Sequence, residues 1–288
     1  MCKNSTTIAA AIKKDPNANL EAKVQELITK AKDSKDDDPV LKVASLPKLY
    51  DGALRAGTPI YVARSHIPVF LLVAVCVSLV ASAVYETNVA VLGFCVAGAL
   101  VGYDMLSGFL HIVFDNPDNL HIPILGQPCL EFQMHHHFPT DLVQRDFLDV
   151  CGDLNLVGLV VSAFTLAMFD VNNPLVRCMG GLKMLMAYYG QFSHRSAHTP
   201  STVNNKFITG LRNAGLMIPL EKHRSHHRAP HDTDFCLVGV CNPLINFLYH
   251  NVTRNRFFWM IGFFAYGLFG VKAEAVVMEK LLTTIGLM

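Results

Sequence analysis

Two long apolar runs separated by four polar-bounded residues constrain this chain more than any other feature. Residues 67–84 and 89–110 flank Tyr85-Glu86-Thr87-Asn88. An α-helix rises about 1.5 Å per residue and about 20 residues cross a hydrocarbon core. Each run is therefore long enough to span a bilayer, and the break is short enough to turn the chain straight back. A third run at 154–169 and a fourth at 175–192 enclose Asp170-Val171-Asn172-Asn173-Pro174 in the same way. The pattern predicts an all-α integral membrane protein with four transmembrane helices in two hairpins and the histidine-rich segments folded as a helical cap. A fifth stretch, 257–270, is short for a crossing and reads as an interfacial helix, with Trp259 and Tyr266 suited to the headgroup level.

Composition supports this class. Mean hydropathy is +0.33, charged residues make up 16% of the chain, and the formal net charge of +1 gives no footing for a nucleic acid. Residues 1–60 form a polar, partly disordered segment, within which Val24, Leu27, Ile28 and Ala31 have helical spacing. Residues 61–288 form the membrane domain. The N-terminus reads as neither a signal peptide nor a transit peptide, because no apolar core follows its first charges and Asp15, Glu21 and Glu26 interrupt it. The eight cysteines lack any C-x-x-C spacing and read as free buried thiols.

Arg55 and Arg64 precede the first run, Arg145 lies between the second and third, and Arg195, Arg212, Lys222, Arg224 and Arg228 follow the fourth. Positively charged flanks stay cytosolic, so the N-terminus, residues 111–153 and everything after His194 are expected on the cytosolic side. Lys183, inside the fourth run, reads as a residue that snorkels toward the opposite interface near Arg177.

The histidines collect on that cytosolic side. His111 closes the second run, with Asp104 and Asp115 near it on the same helical face. Glu131-Phe132-Gln133-Met134-His135-His136-His137 follows; adjacent rings on a helix cannot all point one way, so His135 and His136 are the candidates and His137 is the extra one. His194 and His198 stand at i and i+4, and His223, His226 and His227 at i, i+3 and i+4, with Pro230 positioned to turn His231 back toward them. Imidazole is the common neutral nitrogen ligand for zinc, copper and iron. Nine well-placed imidazoles (His111, His135, His136, His194, His198, His223, His226, His227 and His231) exceed what one ion takes and suit two. Asp104, Asp115, Asp146, Asp149 and Asp232 are candidates to orient the rings from behind, and Arg145, Arg195, Arg224 and Arg228 are candidate contacts for a lipid phosphate. A basic patch, a zinc hydrolase and a metal transporter are the competing classes; the last should place ionisable groups near mid-membrane instead of at helix ends.

Five segments carry a resemblance: Ser107-Gly108-Phe109-Leu110-His111; His135-His136 with Pro139-Thr140; Arg145-Asp146-Phe147; His194-x-x-x-His198; and His223-x-x-His226-His227-x-x-Pro230-His231. Together they resemble the Kua family of membrane desaturases over roughly residues 66–270. The resemblance implies a di-iron, O2-dependent endoplasmic reticulum enzyme that introduces the vinyl-ether double bond into the sn-1 alkyl chain of plasmanylethanolamine, in plasmalogen biosynthesis. It also implies electrons from cytochrome b5 and its reductase. A phospholipid acyl-chain desaturase of the trans-phosphatidylglycerol type and a lipid hydroxylase remain alternatives. The histidine after Pro230 resembles the plasmanyl branch, where the plastid branch tends to have tyrosine. Asp234 departs from the family pattern, which has an aromatic residue there, as does His137.

Overall fold

The structure is a computed structural model that describes residues 59–122, 125–137, 139, 141–144, 147–151, 164, 168, 170–199 and 205–288. The segment before residue 59, nearly all of the run 154–169, and Arg145 and Asp146 lie outside the described residues, as do the side chains of His137 and Asp149. Among the described residues the chain is helical and without strands. The elements are α1 (Pro59–Glu86), α2 (Val89–Phe114), a 3-10 turn (Pro117–His121), α3 (Gly126–His137), the short α4 (Asp141–Gln144) and α5 (Phe147–Val150), α6 (Pro174–His198), α7 (Lys206–Asn213), α8 (Leu220–His226), α9 (Asn242–Phe247), which runs into a π-helical turn (Leu248–Val252), and α10 (Arg256–Thr284).

Three of the four long helices begin on an asparagine whose side chain takes up otherwise orphaned amide N–H groups. Asn88 accepts from Val91, Asn173 from Leu175 and Val176, and Asn255 from Phe257 and Phe258. Among the described residues, three helices are long and apolar enough to cross a membrane: Ile67–Glu86, Val89–Phe114 and Arg256–Thr284. α6 is long enough at 25 residues but carries Arg177, Lys183, two tyrosines and Gln191, and falls short in apolar composition. Its position explains why that is tolerated. α6 packs along α1, α2 and α10 and is sheltered by them, whereas α1 and α2, though consecutive, touch each other little. Small residues allow the close approach: a Cβ on Gly181 would sit 2.7 Å from the Cys76 carbonyl oxygen, and Gly190 lies directly against the Tyr103 ring. The outward faces of α1 and α10 expose Phe70, Leu71, Ile261, Phe264 and Val277, an apolar surface suited to lipid.

Two sequence expectations change. The stretch 257–270 is the first half of a 29-residue helix, α10, and is not a short interfacial element. The apolar run ends at Lys272 and Glu274, but Glu274 points inward to Lys183 of α6, Nζ to Oε1 2.7 Å, so the helix continues through an internally neutralised charge. Lys183 is accordingly buried, at 5% exposure, and held by that pair instead of snorkelling to an interface. All seven cysteines within the described residues are free and buried, as the spacing predicts.

α10 runs away from the end of the bundle where α2 and α6 finish. Trp259 near its start packs with Phe109, Ile112 and Phe114 of α2 in one apolar core, and Met278 and Leu282 near its end join Val91, Cys95 and Leu175 in the other. The C-termini of α2 and α6 and the N-terminus of α10 therefore meet at one end, and the histidines gather there.

Candidate metal centre

Four elements deliver the histidines. His111 occupies the last turn of α2, and its Nδ1 donates to the Ser107 carbonyl one turn back, 2.8 Å, leaving Nε2 free. His135 and His136 lie in the last turn of α3, and His194 and His198 stand one turn apart at the end of α6. α8 ends in His223 and His226, with His227 as its C-cap. His226 donates Nδ1 to the Thr233 carbonyl, 3.0 Å, so its Nε2 also faces inward. Fixing one ring nitrogen on a carbonyl sets the tautomer and aims the other, the arrangement typical of metal-binding imidazoles.

The ring nitrogens sort into two neighbouring groups. His135, His194, His198, His223 and His227 form one, with a donor atom of each within 4.8 Å of all the others. Asp115, His136 and His226 form the second on the same criterion. His136 joins them, its ring stacked on His227 at 4.6 Å between centroids. His111 sits at the inner margin, 5.3 Å from the His226 ring and 6.0 Å from that of His194. His231 sits at the outer margin, with its Nδ1 2.9 Å from His136 Nδ1 and 2.9 Å from the His226 carbonyl oxygen. It adopts a left-handed backbone at φ 59°, a conformation that costs a non-glycine residue on the order of 1 kcal/mol or more and that turns the chain back after Pro230.

The donor set fits metal ions on three counts. Nε2 atoms approach pairwise at 2.9 Å for His135 and His194 and 2.7 Å for His198 and His223; ligands about 2.1 Å from one ion at right angles lie about 3 Å apart. Asp115 places Oδ1 3.0 Å from His136 Nε2 and Oδ2 3.2 Å from His226 Nε2, yet both oxygens, His226 Nε2 and both nitrogens of His227 are buried without a well-aligned hydrogen bond. Convergent buried donors of this kind are costly unless a cation joins them. Protonation states agree as well. Burial, with the neighbouring rings, holds His135 and His223 well below the ordinary imidazole value and pushes His227 down to about 2, so these rings are neutral ligands. For Asp115, burial acts upward but His136 and His226 outweigh it and keep the carboxyl well below its usual range.

The other candidates fall elsewhere. Asp104 lies deeper in α2 and gives its carboxylate to backbone: Oδ1 accepts from Val238 N (2.7 Å) and Gly239 N (3.0 Å), Oδ2 from Cys241 N (2.7 Å). Leu237 is tied in alongside, N to Ser107 Oγ at 3.0 Å and O from Ser193 Oγ at 2.8 Å, and Gly239 supplies the φ of 94° that the loop needs. Asp104 thus anchors the 237–241 loop to α2 instead of orienting a ring. Asp234, at the position that departs from the family pattern, accepts from Ser225 Oγ at 2.7 Å and holds α8 in place. Asp232 faces Arg254. Arg195 donates to the Val143 carbonyl, 3.0 Å, Arg224 pairs with Glu221, and Arg228 is exposed. Sequence reasoning missed Glu274 and Arg254: the first could have been found as the opposite charge that a lysine buried among apolar helices demands, the second as a basic residue just ahead of the asparagine that caps α10.

Replacing His227 by alanine removes a ligand from the larger group while its backbone N–H still closes α8 on the His223 carbonyl at 3.1 Å. The expected result is a membrane-inserted protein with normal helicity by circular dichroism and metal content, by mass spectrometry, reduced by about half or more; full metal loading would remove His227 from the ligand set.

Comparison with known proteins agrees with the geometry. A Fatty acid desaturase 4, chloroplastic, of Arabidopsis thaliana is 28% identical over 161 residues, covering 53% of this chain and 49% of the relative. Plasmanylethanolamine desaturase 1 of Mus musculus is 31% identical over 160 residues, 53% and 58% of the two chains, and the plasmanylethanolamine desaturase of Myxococcus xanthus is 27% identical over 175 residues, 58% and 61%. The chain spans about half the length of the curated relatives it matches. No solved structure matches it significantly. The lipid desaturase domain matches residues 100–275, from the middle of α2 through Ala275 of α10, and takes in every histidine of both groups; the chain belongs to the lipid desaturase family.

Proposed function

We propose that this protein is a di-iron, O2-dependent lipid desaturase that introduces the vinyl-ether double bond into the sn-1 alkyl chain of plasmanylethanolamine. The observation that carries the proposal is the pair of adjacent donor groups, five imidazoles beside an Asp115-His136-His226 set, at one end of a bundle whose outer faces suit lipid. Such a set, nitrogen-rich with one carboxylate, suits iron. Two iron ions, when bound, would supply the O2-dependent oxidation that removes hydrogens from unactivated carbon, which no side-chain base can do.

The chain's own part is positional. The tautomers fixed at His111 and His226 aim their Nε2 atoms at the site. Phe132 packs edge-on against His111 at 5.2 Å, and Phe235 against His226 at 5.8 Å, which shields that flank from water. The donor groups lie at the end of the bundle, consistent with reaction close to a headgroup and so with the first carbons of an sn-1 chain. The plasmanyl reading is favoured over the acyl-chain reading by His231, whose ring the fold places beside His136, and by the names of the mouse and Myxococcus relatives. The basic flanks support an endoplasmic reticulum protein with the site on the cytosolic face, where cytochrome b5 and its reductase would deliver electrons.

Expression in cells lacking plasmalogens, followed by acid-labile vinyl-ether analysis, tests the proposal. Restored vinyl ethers are expected, and their loss on iron chelation. A new acyl double bond, or an added oxygen, with no vinyl ether would replace this reading by one of its alternatives.

A further inference from the structure

We propose that Arg254 and Asp232 form a phospholipid headgroup site, with Arg254 binding the phosphate and Asp232 the ammonium of an ethanolamine-type head. The proposal rests on the desaturase reading for its substrate class. Arg254 lies between the π-helical turn and α10, and Asp232 follows His231 directly. Their charged groups face each other at 3.7 Å, too far for a hydrogen bond, with the side chains 59% and 26% exposed. Arg254 is positioned from other directions: Nη2 lies 2.7 Å from His250 Nδ1, and the guanidinium lies over the Tyr249 ring at 5.4 Å. A guanidinium has five donors in a rigid fork suited to phosphate, and most of these remain open.

An exposed ion pair contributes about 0–1 kcal/mol to stability, so folding does not explain this arrangement. Its surroundings suit a lipid. Phe247, Val252, Phe257 and Phe258, which flank Arg254 in the chain, are all more than half exposed and offer apolar surface for the glycerol backbone and chains. The reach is also consistent. Six bonds separate the phosphorus from the first carbon of an sn-1 ether chain, and three extended bonds cover about 3.5 Å, so the span is about 7 Å. Asp232 is one residue from His231, whose ring meets His136 at the second donor group. A head held at Asp232 and Arg254 would thus lay the start of the chain toward that group.

Arg254→Gln and Asp232→Asn test the site by binding, independently of turnover. Trp259 is the chain's one tryptophan, and its ring centroid lies 6.1 Å from that of Tyr249, so its fluorescence reports on lipids arriving at Arg254. Short-chain phosphatidylethanolamine, phosphatidylglycerol and a phosphate-free diacylglycerol are titrated into detergent-solubilised protein. Arg254→Gln is expected to weaken both phospholipids about 10-fold and leave diacylglycerol unchanged, with Arg254→Lys recovering part of the loss. Asp232→Asn is expected to abolish the preference for ethanolamine over glycerol. Unchanged affinities in Arg254→Gln, or equal weakening of every lipid in Asp232→Asn, would overturn the site. A wild type that binds ethanolamine lipid selectively but forms no vinyl ether would leave the site standing and refute the desaturation of plasmanyl lipid.

Discussion

Asp115→Asn is expected to reduce lipid product by about 100-fold or more, beyond the range seen for groups that merely support a ligand, and to lower bound metal. Both carboxylate oxygens face imidazole nitrogens, at 3.0 and 3.2 Å, and the side chain is 5% exposed. An amide of the same volume keeps the shape and removes the charge. It also turns a donor N–H toward either His136 or His226, where an acceptor oxygen stood. The helix end should survive, because the cap depends on the Asp115 backbone N–H bonding the His111 carbonyl, 2.8 Å, and the Gln133 amide holds the Asp115 carbonyl. His226 carries a second signature. Burial acts to lower its pKa, but the adjacent Asp115 carboxylate, with the Thr233 carbonyl, raises it above the ordinary imidazole value. In metal-free protein that ring is therefore protonated at pH values where a free imidazole is neutral, and Asp115→Asn should move its titration downward, a change visible by NMR. Full metal content and normal turnover in Asp115→Asn would exclude the carboxylate from the centre. Asp104→Asn gives the contrast: it loosens the 237–241 loop from α2, so activity should fall through disorder of that loop while the Asp115 group keeps its shape.

Local signals carried much of this into the sequence. The starts of α2 and α6 follow from where the apolar runs begin, and the spacing of His194 with His198 and of His223 with His226 and His227 places each set on one helical face before any fold is known. What stayed hidden depends on contacts between distant segments. Asp104 and Asp115 sit seven residues before and four after His111 and look equivalent along the chain. One meets two histidine rings and the other a loop more than 130 residues away, a difference created when the 237–241 turn docks against α2. The division of the imidazoles into a group of five and a set with Asp115 is likewise tertiary, since His135 and His136, neighbours in sequence, fall into different groups. α10 was misread for the same reason. Hydropathy counts Lys272 and Glu274 as stops, whereas the fold turns Glu274 toward a cation on another helix.

That cation sets the second large effect. Lys183→Met is expected to destabilise the folded protein by about 3–5 kcal/mol, the cost of leaving a buried charge without its partner. Lys183 Nζ lies 2.7 Å from Glu274 Oε1 and 4.2 Å above the Tyr266 ring. The Tyr266 hydroxyl donates to the same carboxylate oxygen, while Glu274 Oε2 is buried without a hydrogen bond. The carboxylate also fills the space against Gly102, where any Cβ would overlap it, so it has no room to turn away once the ammonium is gone. Lys183→Met with Glu274→Leu removes both charges and should recover at least half the lost stability, because a matched apolar pair costs little in place of a buried ion pair. Unfolding in mixed detergent micelles, followed by circular dichroism, measures both variants. If Lys183→Met unfolds at the wild-type midpoint, or the double variant is no more stable than the single, the pair does not join α6 to α10. Their partnership would then rest on apolar contacts such as Met179 and Leu182 with Val271. If the cycle closes as expected, a neutralised pair inside the bundle is what lets a helix whose apolar run is broken at Lys272 and Glu274 complete its 29 residues against α6.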